Sequence, residues 1–210
     1  MAIRNFPPVD FADEHGLLAI GGDLEPASLL LAYTNGIFPW PHENYPLLWF
    51  APPQRAVLFC EEFKINRTLS KLKRKHSFEF TTNKAFKEVI AACSKSPNRK
   101  GHKGTWITPQ IIEAYTKLHK EGHAYSVEAW NGSTLVGGFY GVQLGNYYGG
   151  ESMFYREPNA SKLALLFFVE KLTEQGITWL DCQTLTPTFK SLGAREISRA
   201  EFMKMLSKAI

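Results

Sequence analysis

The stretch YSVEAWNGSTLVGGFYGVQLGNYYGGESMF, residues 125–154, decides how this chain folds. Tyr125 to Trp130 alternates apolar and polar residues, as a half-buried strand does. Asn131-Gly132 is the strongest short hairpin signal, because both residue types tolerate the positive φ of a tight turn. Leu135 to Val142 returns as the partner strand, and a turn at Gly145-Asn146 leads into Tyr147 to Phe154. The spacing predicts a three-stranded antiparallel meander. A helix over 160–175, a strand over 178–182 and a last helix over 199–209 follow it. Ser198 and Glu201 stand at capping-box spacing before the last helix.

Upstream, proline and aromatic residues dominate the first 60 positions. One helix reads from Pro26 to Thr34, with proline in its first turn and Gly36 as the stop. Arg55 to Cys60 reads as a short strand. These segments predict a small α+β unit over residues 1–62 and a second unit over 63–210. In the second, a basic helix capped by Asn66 precedes a strand over 77–82 and a helix capped by Asn83 that runs to Cys93. Thr108-Pro109 opens a further helix with Ile111, Ile112, Tyr115 and Leu118 on one stripe, closed by Gly122. The order of meander, helix and strand over a twisted sheet is that of acyltransferases of the GNAT type. The expected fold class is therefore α+β, a small N-terminal part followed by a GNAT-like domain on a mixed, mostly antiparallel sheet.

Hydrophobic residues make up 44% of the 210 positions and charged residues 21%, which excludes disordered, collagen-like and coiled-coil chains. No apolar run approaches the roughly 18–20 residues needed to span a bilayer. The first eight residues lack the apolar stretch of a secretion signal. Cys60, Cys93 and Cys182 are odd in number and widely spaced, so a disulfide framework or paired-cysteine zinc site is not expected. A soluble, cytoplasmic, monomeric protein without membrane contact is the expectation.

The net charge of +4 is unevenly spread. Lys64, Arg67, Lys71, Lys73, Arg74 and Lys75 fall in one acid-free segment, and Lys95, Arg99, Lys100 and Lys103 in another. The rest of the chain is consequently net negative. Arg67, Lys71 and Lys75 lie on one helical face with Arg74 beside them, a pattern that suits either a solvated face or a phosphate-backbone footprint.

Several chemistries lack their residues. The only helically spaced histidine pair, His119 and His123, is interrupted by Gly122, and no metal site is expected. No nucleophile elbow, P-loop or dinucleotide fingerprint is present. The turn Tyr155-Arg156-Glu157-Pro158-Asn159-Ala160 joins the meander to its helix. It has no glycine, and Pro158 lacks an amide donor, which disfavours a coenzyme pyrophosphate site there. Glu151 is the one acid in an apolar, glycine-rich strand. It reads either as an edge charge facing water or as a carboxylate held in a cleft for a cationic group. Asp181-Cys182-Gln183 ends the following strand.

With these residues in view, the chain resembles the leucyl/phenylalanyl-tRNA–protein transferases almost from end to end. The matching segments are Gly16 to Leu24, Gly36 to Trp40, Thr105-Trp106-Ile107, Ser126-Val127-Glu128, Gly150 to Phe154, Asp181-Cys182-Gln183 and Ser191 to Ala194. Departures are Phe50 and Ala51 after Trp49, Tyr125 where many members have histidine, and Thr188. The resemblance implies an enzyme that moves leucine or phenylalanine, and methionine less well, from tRNA to proteins that begin with arginine or lysine. The modified proteins are thereby marked for N-degron-dependent degradation. An aminoacyl ester is already activated, so no cofactor is expected.

The resemblance also assigns roles. Trp49 and Trp106 would flank the terminal adenosine. Phe139, Tyr148, Leu165, Phe168, Leu172 and Leu180 would line the amino-acid side-chain pocket, and an apolar pocket of this kind tolerates near-isosteres. Gln183 would hold the amine or ester carbonyl. Asp181 would orient Gln183 and draw positive charge from the attacking amine. Glu151 would bind the basic side chain of the acceptor. Arg67, Lys71, Arg74, Lys75, Arg99 and Lys100 would meet the tRNA backbone. The alternatives are an acetyl-CoA-dependent N-acetyltransferase and a non-catalytic tRNA-binding module.

Overall fold

Gly132 and Gly145 take φ of +56° and +57°, and around these two turns the meander forms. The computed structural model describes residues 2–41, 45–75, 78–96 and 105–210. In chain order the elements are β1 (Leu17–Ile20), α1 (Pro26–Thr34), β2 (Phe38–Pro39), β3 (Leu48–Phe50), β4 (Gln54–Phe59), α2 (Arg67–Arg74), β5 (Glu79–Thr82), α3 (Phe86–Ser94) and α4 (Pro109–Lys120). They continue as β6 (Ala124–Asn131), β7 (Thr134–Leu144), β8 (Tyr147–Tyr155), α5 (Ala160–Glu174), β9 (Trp179–Gln183), α6 (Pro187–Ser191), β10 (Arg195–Ser198) and α7 (Arg199–Ala209).

A small sheet has the order β1-β3-β2, and a seven-stranded sheet the order β10-β4-β9-β8-β7-β6-β5. Every pairing in the larger sheet is antiparallel except β8 with β9. The α+β class and the mixed, mostly antiparallel sheet expected from the sequence are both present. Strand β4 lies between β10 and β9, with Val57 paired to Asp181 on one side and Arg195 on the other. The strand that the sequence places at the end of a unit closing near residue 62 is thus an interior strand of the larger sheet.

The larger sheet has a core on each face. On one, α5 and α2 press Leu163, Leu166, Phe168, Val169, Leu172 and Leu69 onto the strands. Burial of each such side chain contributes about 1.5–3 kcal/mol, which holds α5 down despite its αL N-cap at Asn159. On the other face lie α1, α3, α4, α7 and the small sheet, whose Tyr33, Trp49, Phe86, Tyr115 and Phe202 share one cluster. Among the described residues, one cluster joins the N-terminal part to this face of the larger sheet.

Asn66 caps α2, accepting from Leu69 N at 2.9 Å, and Ser198 Oγ caps α7 by accepting from Glu201 N at 3.2 Å. Asn83 does not cap α3. Its backbone is left-handed, with φ of +59°, and its Oδ1 accepts from Ser126 N at 2.9 Å. The buried carboxylate of Glu128 reaches the start of α3 instead, accepting from Ala85 N at 3.3 Å, Ser126 Oγ at 2.5 Å and Thr81 Oγ1 at 2.6 Å.

Candidate active site

Strands β8 and β9 are paired at one position, Gly149 opposite Asp181. Two residues further along each strand stand Glu151 and Gln183. Here side chains replace the backbone ladder: Gln183 Nε2 donates to Glu151 Oε1 at 2.6 Å. Glu151 also lies at a β-bulge. Gly141 pairs with Gly150 and Tyr140 with Ser152, so Glu151 is the extra residue on β8. A bulge of this kind re-aims a side chain and ends regular pairing. Close approach makes it possible, since a Cβ on Gly141 would lie 1.9 Å from the carbonyl oxygen of Gly149.

Two buried tyrosines complete the surroundings of Glu151. Tyr33 of α1 donates to Oε1 at 2.8 Å, and Tyr115 of α4 donates to Oε2 at 3.4 Å. The two phenol oxygens are also bonded to each other. Burial raises the carboxyl of Glu151 to about 7, offset in part by the bonds from Tyr33 and Gln183. Around neutral pH the group therefore exists in both forms. It can take up a proton, or in its ionised form receive a cation.

Asp181 lies behind this pair and is fully buried. Arg55 of β4 forks onto it, Nε to Oδ1 at 2.9 Å and Nη2 to Oδ2 at 2.7 Å. Tyr147 of β8 donates to Oδ2 at 2.7 Å, and the backbone N–H of Gln183 donates to Oδ1 at 2.9 Å. Burial lowers the Arg55 pKa, but the Asp181 charge outweighs it and leaves the guanidinium above its ordinary value. Gln183 itself has a φ of +59°, a conformation that residues with side chains rarely adopt.

The expected site residues divide into several groups. Glu151 and Gln183 are brought into direct contact. Asp181 accepts from the Gln183 backbone amide, the contact that its expected orienting role needs. Both Asp181 oxygens are bonded within the protein and it has no exposed surface, so its expected second role, drawing positive charge from the amine, could act only through Gln183. Trp49 departs from expectation. It is fully buried, with Nε1 bonded to Gly21 O at 2.9 Å and its ring edge-on to Phe6, so no face is open to a nucleobase. Trp106 is partly exposed beside the core.

Phe139, Tyr148, Leu165, Phe168, Leu172 and Leu180 do share one cluster, on the face of α5. There they form packed core: Phe168 stacks on Tyr125 with centroids 4.8 Å apart, while Phe139 and Tyr148 meet both rings edge-on. Arg67, Lys71 and Arg74 are exposed on α2 and Lys75 at its C-cap, and among the described residues none of the four is in an ion pair. Arg99 and Lys100 lie outside the described residues.

Sequence reading missed Tyr33, Tyr115, Tyr147 and Arg55. Tyr115 was visible only as one apolar position on a helical stripe, and Arg55 as the first residue of a strand. Neither signal distinguishes a site residue from core. At the turn before α5, Arg156 N and Glu157 N both donate to Val136 O, and Ala160 N donates to Glu157 O. A Cβ at Gly137 would meet Ala160 Cβ at 2.6 Å, so the start of α5 sits directly on β7. These amides are committed to the fold, in keeping with the glycine-free turn.

Comparison with known proteins finds two family models. One, described as leucyl/phenylalanyl-tRNA protein transferase, matches residues 57–207, and the N-terminal domain of the same family matches residues 22–53. A protein of Flavobacterium johnsoniae named leucyl/phenylalanyl-tRNA--protein transferase is 51% identical over 96% of this chain and 94% of its own. Proteins of the same name from Syntrophotalea carbinolica and Christiangramia forsetii are each 50% identical. They cover 97% of this chain, and 88% and 96% of their own lengths respectively.

Proposed function

The chain belongs to the leucyl/phenylalanyl-tRNA protein transferase family, and from that premise we propose that its Glu151–Gln183 pair is where the transfer takes place. The protein is an aminoacyltransferase acting from aminoacyl-tRNA on protein N-termini. In the reaction the α-amine of the acceptor attacks the ester carbonyl of the charged tRNA. A peptide bond forms, the ester C–O bond breaks, and the terminal ribose leaves with its hydroxyl restored. The amine must be neutral, close and able to lose a proton.

The observation that carries the reading is the side-chain bridge at the point where β8 and β9 part. Gln183 Nε2 is committed to Glu151, which leaves the Gln183 carbonyl oxygen to accept from the attacking amine. Glu151, ionised, receives the cationic side chain of an acceptor that begins with arginine or lysine. Asp181 serves by setting the backbone of Gln183. Trp106 offers a partly open ring to the terminal adenosine. The aromatic cluster around Phe168 takes the leucine, phenylalanine or methionine side chain, for which its packed rings must move apart. The exposed cations of α2, with Arg99 and Lys100, meet the tRNA backbone without reading its sequence.

We propose moving the boundary expected at residue 62 back to between residues 53 and 57, where the two family matches meet and β4 enters the larger sheet, although one core spans both parts. Among the described residues no helix is long and apolar enough to cross a membrane. The reading puts the protein's action in the cytoplasm, as a monomer that marks proteins for N-degron-dependent degradation.

The test mixes the protein with leucine-charged tRNA and peptides beginning with arginine or alanine, without ATP or CoA. Labelled leucine on the arginine peptide alone is the expected result. Binding of charged tRNA without transfer would overturn the reading in favour of a binding module. Transfer only with acetyl-CoA as donor would overturn it in favour of an N-acetyltransferase.

A further inference from the structure

We propose that Arg55 is a positioning residue for the transfer reaction, setting the backbone of Gln183 through the carboxylate of Asp181. The inference rests on the reading of Gln183 given above. Arg55 is 1% exposed, and all three of its side-chain nitrogens are used. Nε and Nη2 hold the two oxygens of Asp181, while Nη1 donates to the carbonyl of Gly36 at 3.1 Å. The rings of Phe38 and Phe202 lie 4.7 and 4.5 Å from the guanidinium carbon. Four parts of the chain converge on this one side chain: the end of α1, β2, β9 and α7.

A buried ion pair is a poor device for stability alone, because desolvation of both charges offsets their attraction. What this pair does locally is more specific. Asp181 Oδ1 takes the N–H of Gln183 as well as Arg55 Nε, and Gln183 sits in the left-handed region at φ +59°. Released from Asp181, that backbone would relax toward the extended form, and its side chain would swing off Glu151. Only a planar fork can fix both oxygens of Asp181 while a third nitrogen reaches Gly36. Lysine supplies one point charge and no such orientation. Tyr147 braces Oδ2 from the third strand, at 2.7 Å.

The test is a double-mutant cycle on single-turnover transfer, with Arg55→Lys, Gln183→Ala and both together. Affinity for charged tRNA and circular dichroism are measured alongside. Arg55→Lys is expected to lower the transfer rate about tenfold or more while tRNA affinity stays at the parent's value. In the Gln183→Ala background the same substitution should change the remaining rate by less than about twofold, since its target is gone. Equal losses in both backgrounds, or a folded Arg55→Lys protein with the parent's rate, would overturn the proposal while leaving Gln183 in place. A Gln183→Ala enzyme as fast as the parent would overturn both. Should Arg55→Lys fail to fold, Tyr147→Phe carries the same cycle. It leaves the Arg55–Asp181 pair intact and removes one bond to Oδ2, so a several-fold loss that vanishes with Gln183→Ala supports the proposal and an additive loss sinks it.

Discussion

Glu151 combines a bulge, two tyrosine donors and a carboxyl raised to about 7, chiefly by burial. Two opposite pH dependences follow. Transfer to an arginine-starting peptide should rise as pH increases through about 7, because the ionised form receives the cation. An initial-rate profile checks this, and Glu151→Gln should remove the part of the rise centred near 7, leaving the part that comes from deprotonation of the acceptor's own amine. Stability runs the other way. The folded carboxyl holds its proton up to about 7, whereas the unfolded one releases it near 4.5, so Glu151's contribution to stability declines between those values and is flat above them. The loss reaches about 3–4 kcal/mol at most, at roughly 1.4 kcal/mol for each tenfold difference in proton affinity. Denaturant titrations of parent and Glu151→Gln across this range should show the slope in the parent only. At this scale, Glu151 stood out as an acid in an apolar strand, whereas Gln183 drew attention through the family resemblance. Arg55 was not, because its partner lies 126 positions away. The burial of Trp49 was equally hidden, as nothing in its neighbours announces a bond to Gly21.

At the scale of elements, local patterns predicted what local forces determine. The meander strands fall at 124–131, 134–144 and 147–155, and α1 and α7 at the positions their proline, glycine and serine signals indicate. The small sheet was missed because β1, β2 and β3 have only four, two and three residues, too few to show alternation. The placement of β4 between β9 and β10 is a long-range pairing that periodicity cannot reveal. The α3 cap failed for a similar reason, since its acceptor comes from a neighbouring strand. Helix α2 carries a functional expectation of its own. Leu69 anchors it, while Arg67 and Lys71 stand exposed. Arg67→Glu with Lys71→Glu should weaken tRNA binding alike for all isoacceptors. It should also reduce the slope of log affinity against log salt by about 1 for each phosphate left unneutralised. Stability should change little, and binding titrations at several salt concentrations decide the matter.

For the whole molecule, the sheet has a core on each face and is held at the β8–β9 junction by a single ladder pair. Helix α2 and the aromatic cluster lie with α5 on one face, while Tyr33, Tyr115 and the Arg55–Asp181 pair lie on the other. Glu151 and Gln183 stand where the strands part, with Trp106 on the Tyr115 face and the aromatic cluster on the other, and on the proposed reading the charged tRNA and the acceptor peptide meet there. That convergence is the central claim. Its most direct test is single-turnover transfer of leucine from charged tRNA to an arginine-starting peptide by Glu151→Gln, beside equilibrium binding of the same tRNA. The account predicts a rate reduced about tenfold or more, with tRNA affinity within about twofold of the parent. An unchanged rate, or equal losses in rate and affinity, would contradict it.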